Sequence, residues 1–141
     1  MPKKLTETIL KSISSPESFT RGHDLYQSGA VFDTFRKDDL LTGKCEGSSA
    51  PFYQIHVQLD EGGVQEAFCT CPYDWGGYCK HIVALILTYM HNPDAFIEQK
   101  NINKLLGQLD KDALVHLITK MIDKNPGLYS WLKACVHWRG P

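Results

Sequence analysis

The first thirty residues place apolar side chains three to four positions apart, the spacing of one helix face. In residues 3–15 these side chains are Leu5, Ile9, Leu10 and Ile13. Residues 16–28 continue with Pro16, which suits a first helical turn, and are followed by Gly29, which suits a C-terminal cap. The pattern predicts two helices at the start of the chain.

From Ala30 to Phe68 the pattern changes to short β-prone runs separated by Asp, Ser, Pro and Gly. Within this region Tyr53, Ile55, Val57 and Leu59 alternate with polar residues, which is the period of a strand with one buried face. We therefore expect an antiparallel meander of three or four strands whose last strand runs into Cys69.

The rest of the chain returns to helical patterns. Residues 81–91 are apolar nearly all round and predict a buried helix that ends at Asn92 and Pro93. Residues 101–138 predict short helices, including one over 111–124 with Asp110 as its N-cap. The overall expectation is an α+β fold: N-terminal helices, a small β-meander, a strand–loop–helix and a C-terminal helical segment.

Composition narrows the class of protein. The 141 residues are 43% hydrophobic, enough for a packed core, and the net charge of −1 argues against broad attraction to nucleic acid or membranes. No signal peptide is visible, and the longest apolar run, Ile82 to Leu87, is too short to span a bilayer. These features predict a soluble cytoplasmic protein, in which the five cysteines stay reduced.

Segment 69–81, CTCPYDWGGYCKH, contains two closely spaced pairs of metal-ligating residues. Cys69 and Cys71 point to the same side of an extended chain, and Cys79 and His81 stand at the start of the apolar helix. Three thiolates and one imidazole complete a tetrahedral zinc site of net charge about −1, leaving no position for a reactive water. The spacing predicts one structural Zn²⁺ ion rather than a catalytic one.

Two other chemistries do not fit this segment. Thioredoxin-like redox sites need C-x-x-C, and zinc deaminases need H-x-E with P-C-x-x-C; none of these occurs. Outside the segment, Cys45 and Cys135 are expected to be buried small apolar residues, so an enzyme that uses a free cysteine is the least favoured hypothesis.

The pattern C-x-C-x(n)-C-x-H, followed by an apolar helix, resembles the SWIM-type zinc finger. The resemblance extends to flanking segments typical of prokaryotic members, RGHDLYQSGAV at 21–31 and GKCEGS at 43–48, and it covers about residues 20–100. It implies that 1–100 form a zinc-binding domain and that 101–141 are a helical extension.

The SWIM resemblance also implies a function without catalysis. Such domains accompany helicase-like ATPases, transposases and recombination proteins, so the chain is expected to dock one of these as an accessory protein. Direct binding of DNA or RNA is the alternative. A CDGSH-type iron–sulfur protein, which also uses three cysteines and one histidine, is a further, weaker alternative, because there the histidine lies several residues beyond the third cysteine.

Four residues are predicted to contact a partner or nucleic acid: Arg21, Tyr73, Trp75 and Lys80. Tyr73 and Trp75 lie in the loop between the ligand pairs, where they can stack on a base or enter a partner pocket. For Lys80 two interpretations stay open: a modest basic patch with Lys44, Arg36 and Lys37, or a surface lysine that is simply solvated. Arg21 is expected to form an ion pair with Asp24 or with an acidic strand residue, and a phosphate contact is the alternative.

Overall fold

The computed structural model describes residues 5–73 and 76–136 of the chain. Two helices come first, α1 (Glu7–Ile13) and α2 (Pro16–Gln27), as the periodicity predicts. Thr6 and Ser15 cap them, since each side-chain oxygen accepts a hydrogen bond from a backbone N–H three residues later. Gly29 follows α2 with φ of +76°, a conformation that glycine adopts without strain.

Four antiparallel strands form the predicted meander: β1 (Val31–Lys37), β2 (Leu40–Glu46), β3 (Phe52–Asp60) and β4 (Gly63–Cys69). A fifth strand, β5 (Ile97–Glu98), pairs in parallel with β1, so the sheet order is β4-β3-β2-β1-β5. The α+β class is confirmed, but β5 and the mixed character of the sheet were not predicted.

Helix α3 (Lys80–His91) forms the centre of the core. Its residues from His81 to Leu87 are all buried, because one side of the helix packs on the sheet and another on α2. The sheet contributes its alternating apolar residues: Leu41, Cys45, Tyr53, Ile55, Val57 and Leu59. This packing explains why α3 is apolar nearly all round, since few of its positions face water.

The contact between α2 and α3 depends on a glycine. A Cβ atom on Gly22 would lie 2.6 Å from the Val83 side chain and 2.8 Å from the Lys80 carbonyl oxygen. Because Gly22 has no side chain, the two helices approach closely, and this brings the first turn of α2 near the first turn of α3.

A single 3₁₀ turn at Pro93–Ala95 connects α3 to β5. The Thr34 hydroxyl of β1 donates a 2.7 Å hydrogen bond to the Ala95 carbonyl, and Arg36 forms an ion pair with Glu98. These contacts join β1 to a segment about sixty residues further along the chain.

The chain divides into an N-terminal unit that ends at Asn101 and a C-terminal unit that starts at Ile102. Helix α4 (Gln99–Gly107) spans this boundary, and α5 (Lys111–Lys124) and α6 (Gly127–Val136) pack against each other in the C-terminal unit. Asp110 caps α5 by accepting from the Ala113 N–H, as predicted. Within the described residues, no helix combines the length and apolar character needed to span a membrane.

Candidate zinc centre

The strand, the loop and the helix each bring ligands to one place. Cys69 ends β4, Cys71 follows it by two residues, Cys79 is the N-cap of α3, and His81 lies in the first turn of that helix. One ligand atom from each of the four side chains lies within 4.8 Å of the others. The structure therefore brings together the four residues that the spacing identified as metal ligands.

The distances match the edges of a zinc tetrahedron. His81 Nδ1 lies 3.7 Å from Cys69 Sγ and 3.7 Å from Cys79 Sγ. Zinc–sulfur and zinc–nitrogen bonds of ordinary length, placed at tetrahedral angles, separate sulfur from nitrogen by about 3.6 Å. The four side chains thus fit one Zn²⁺ ion and use all of its tetrahedral positions.

The orientation of His81 agrees with this role. The residue is 4% exposed, its Nδ1 faces two cysteine sulfurs, and its Nε2 is buried without a hydrogen-bond partner in the described part of the chain. A neutral imidazole that binds zinc through Nδ1 carries its proton on Nε2. The Tyr53 ring packs against the imidazole, with 4.8 Å between the ring centroids.

The three cysteine ligands differ in the pKa of their thiols before metal binds. A hydrogen bond from the Cys69 thiol lowers the pKa of Cys79 to about 4, assisted by His81 and the Ile82 backbone N–H. The same hydrogen bond raises the pKa of Cys69, and burial raises the pKa of Cys71. The first thiolate therefore forms at the N-terminus of α3, where the helix dipole favours an anion.

The loop that returns to the second ligand pair is held by the end of α1. Gly76 and Gly77 have φ of +102° and +72°, as expected for the tight return predicted there. The Tyr78 N–H donates a 2.9 Å hydrogen bond to the Ile13 carbonyl, and a Cβ on Gly77 would lie 3.1 Å from that oxygen. The zinc loop is thus tied to the first helix as well as to the metal ligands.

The predicted contact residues have different outcomes. Arg21, Tyr73 and Lys80 line a cavity of about 690 Å³ beside the zinc ligands. Tyr73 is half-buried, packs against the core and donates a hydrogen bond to the Gly76 carbonyl, so it is not an isolated exposed ring. Trp75 lies outside the described residues. Contact with a partner remains a prediction for all four residues.

Three expectations about charge and burial were wrong. Arg21 makes no ion pair within the described residues, so the pairing with Asp24 is absent. Arg36 pairs with Glu98 at 3.4 Å and Lys44 with Asp33 at 3.3 Å, which neutralises two of the four cations of the basic patch. Cys135 is exposed, because its helix buries no residue fully.

Cys45, in contrast, is fully buried as predicted, and burial raises the pKa of its thiol to about 12. A thiol with that pKa is almost wholly protonated at neutral pH, so it is a poor nucleophile.

The cavity itself was missed by the sequence interpretation. It is enclosed by the start of α2, the loop between β2 and β3, the zinc loop and the start of α3. Ser18, Ser48, Ser49 and Tyr53 contribute hydroxyl groups to its wall. The spacing of these serines along the chain does not indicate a binding site, because the residues come together only when α2 packs on α3.

The chain is similar to known proteins. The family model of the SWIM zinc finger matches residues 55–90. Zinc finger SWIM domain-containing protein 8 of Homo sapiens is 28% identical over 79% of this chain and 6% of its own length. The homologue of that protein in Drosophila melanogaster is 25% identical over 80% of this chain and 5% of its own length.

The chain therefore spans less than a tenth of the length of these relatives. They are eukaryotic, so the prokaryotic type expected from the flanking segments stays a prediction. No solved structure gave a significant match.

The segment matched by the family model contains the metal site. The matched segment starts in β3, contains all four ligands and ends near the end of α3, so it includes every element that holds the metal. Residues 55–90 match the SWIM zinc finger and hold the ligands of one structural zinc ion.

Proposed function

We propose that this protein is a non-enzymatic docking module that acts in the cytoplasm as an accessory to a helicase-like ATPase, a transposition machinery or a recombination protein. The zinc finger provides a rigid scaffold, and the C-terminal helices bind the partner. The class of partner comes from the family resemblance and awaits a direct test.

The closed metal centre supports the absence of catalysis. Four protein ligands occupy the tetrahedral positions of zinc, whereas catalytic zinc usually keeps one position for water. None of the five cysteines, all of which lie in the described residues, forms a disulfide there, a state that a reducing compartment such as the cytoplasm maintains. Both features suit a protein whose metal holds its shape.

The observation that carries the docking proposal is the apolar surface of α5 and α6. Trp131 is 68% exposed, and Met121 and Tyr129 are at least half exposed. Val115, Leu117, Ile118 and Val136 add further exposed apolar side chains. Large exposed apolar patches mark protein interfaces, and aromatic residues and methionine are enriched there. A protein surface is therefore the best-supported occupant of these helices.

Direct binding of DNA or RNA is the second candidate. On the sheet face opposite α3, Phe32, Phe52 and Phe68 are exposed, and single-stranded bases can stack on such rings. Charge disfavours this candidate, because the cation nearest the Phe52 ring, Lys44, is paired with Asp33. The ion pair lowers the attraction of this part of the face for phosphates.

The test is recovery of the partner from native cells by cross-linking and mass spectrometry with the tagged full chain. We expect an ATPase or recombination protein to be recovered with the wild type and lost with Trp131→Ser. Lys133→Ser changes an exposed polar residue in the same helix and is the matched control. Zinc content and melting temperature must be equal in all three proteins.

Two results would oppose the proposal. Recovery of the same partner with Trp131→Ser would show that α6 is not the docking helix. Binding of the wild type to DNA or RNA that weakens steeply with salt, without any reproducible protein partner, would favour the second candidate.

A further inference from the structure

The cavity beside the zinc centre has the dimensions of a ligand site. Its volume of about 690 Å³ lies within the range of pockets that hold small molecules or inserted side chains. All of its lining residues belong to the N-terminal unit, and three of them, Cys71, Cys79 and His81, are zinc ligands. Zinc therefore shapes one wall of the cavity.

Two helix N-termini converge on this cavity. Ser15, Glu17 and Ser18 of the α2 start line one side, and Lys80 with its ligand neighbours at the α3 start lines another. Each helix has twelve residues; Ser15 caps the Ser18 N–H of α2 and the Ile82 N–H of α3 bonds Cys79, which leaves the Glu17 N–H and the Lys80 and His81 N–H groups without an intrahelical acceptor. Helix N-termini attract anions because their partial positive charge and their N–H groups point the same way.

Two cations border the same space. Arg21 and Lys80 line the cavity, and neither side chain makes an ion pair or hydrogen bond within the described residues. Glu17 also lines it, and the occupied zinc centre carries about one negative charge. Arg21, Lys80 and the two helix ends, which contribute about half a charge each, give about three positive charges. Glu17 and the zinc centre give about two negative charges, so the cavity has an excess of about one positive charge.

Buried hydroxyl groups in the wall have unused donors. Ser18 is 5% exposed, and its hydroxyl makes no hydrogen bond among the described residues. Tyr53 is 6% exposed; its oxygen accepts the Ser49 N–H at 3.2 Å but donates to no described acceptor. Each of these two hydroxyls therefore keeps a hydrogen that an oxygen of a ligand in the cavity can accept.

We propose that this cavity binds the phosphate group of a phosphorylated side chain on the protein partner. The inference rests on the proposed docking function and adds the chemistry of what is docked. Phosphate fits better than carboxylate, because the wall offers an arginine, a lysine, several hydroxyls and two helix ends, and phosphate accepts from more donors. A recessed cavity also suits one projecting side chain better than a continuous strand of nucleic acid.

The experiment titrates the zinc-loaded full chain and follows backbone amide shifts by two-dimensional NMR. The probe is phosphoserine capped at both ends; glutamate capped in the same way, inorganic phosphate and a ten-residue oligothymidylate are the comparison ligands. We expect capped phosphoserine to shift the Glu17, Ser18 and Lys80 amides saturably. Arg21→Gln should weaken that binding about tenfold or more, since it removes a charged donor.

Lys120→Gln is the matched control, because it removes an exposed cation of the C-terminal unit and should leave the affinity unchanged. Absence of saturable shifts with capped phosphoserine, or equal affinity of Arg21→Gln and wild type, would overturn the proposal. Equal binding of capped glutamate would overturn the choice of phosphate, and tighter binding of oligothymidylate at the same amides would overturn the choice of a protein. Binding of inorganic phosphate alone would assign the site to a free ion.

The cavity and the docking function can fail separately. If a partner recovered from cells is lost with Trp131→Ser but retained with Arg21→Gln and after phosphatase treatment, docking stands and the phosphate site is wrong. Loss of the partner after phosphatase treatment and with Arg21→Gln, but not with Lys120→Gln, supports both.

Discussion

Replacement of Gly22 by alanine tests the close approach of α2 and α3. The added Cβ would lie 2.6 Å from the Val83 side chain and 2.8 Å from the Lys80 carbonyl oxygen. Favourable contacts between such atoms need about 3.5–4.0 Å, so the helices must separate by about 1 Å. Alanine gains about 1 kcal/mol of helix propensity, but overpacking costs about 1–3 kcal/mol. Because the contacts involve a backbone carbonyl and a Cβ, neither of which can rotate away, we expect a cost near the upper end of this range and a net loss of up to about 2 kcal/mol for Gly22→Ala.

The assay is equilibrium unfolding in urea at saturating zinc, with the free energy of unfolding compared between variants. Gly107→Ala is the control, because a Cβ at the end of α4 meets no atom within 4 Å. The control should be neutral or more stable by up to about 1 kcal/mol.

If Gly22→Ala is as stable as the control, the packing of α2 on α3 is looser than described. The same result would weaken the cavity proposal, because Arg21 and Ser18 reach the zinc side of the molecule through this contact.

Three further predictions concern the metal and a buried hydrogen bond. Cys79→Ser should lose zinc and most of its cooperative thermal unfolding by circular dichroism, since structural zinc contributes about 10 kcal/mol or more; unchanged melting would contradict a structural role. Zinc affinity measured by chelator competition should rise with pH, because the raised pKa values of Cys69 and Cys71 keep both thiols protonated in the metal-free protein. Because zinc binding displaces about two protons, the zinc affinity should rise about a hundredfold per pH unit near neutrality. A pH-independent affinity would refute this prediction. Thr34→Val removes the 2.7 Å hydrogen bond to the Ala95 carbonyl and should cost about 1–3 kcal/mol in urea unfolding, whereas a loss below the error would show that water replaces it.

Local patterns determined much of this protein. The four meander strands, the helices and the α5 cap follow from apolar periodicity and capping residues, which act over a few positions. The zinc site could be predicted from the sequence for the same reason, because its ligands form two close pairs within segment 69–81. Only the loop between the two pairs has to close to bring them together. Even the positive φ values of the return loop follow from its two glycines.

Long-range packing decided the rest. Strand β5 has two residues and exists because β1 pairs with it, which no periodicity encodes. The ion pair between Arg36 and Glu98 likewise joins residues far apart in sequence. It neutralises the Arg36 charge, which the sequence analysis had assigned to a basic patch. The cavity depends on Gly22, where a missing side chain lets α2 meet α3 and brings Arg21 to the zinc wall. Sequence therefore determined the elements and the metal ligands, whereas only the tertiary structure decided which charges and hydroxyls share one space, because that depends on contacts between segments distant in the chain.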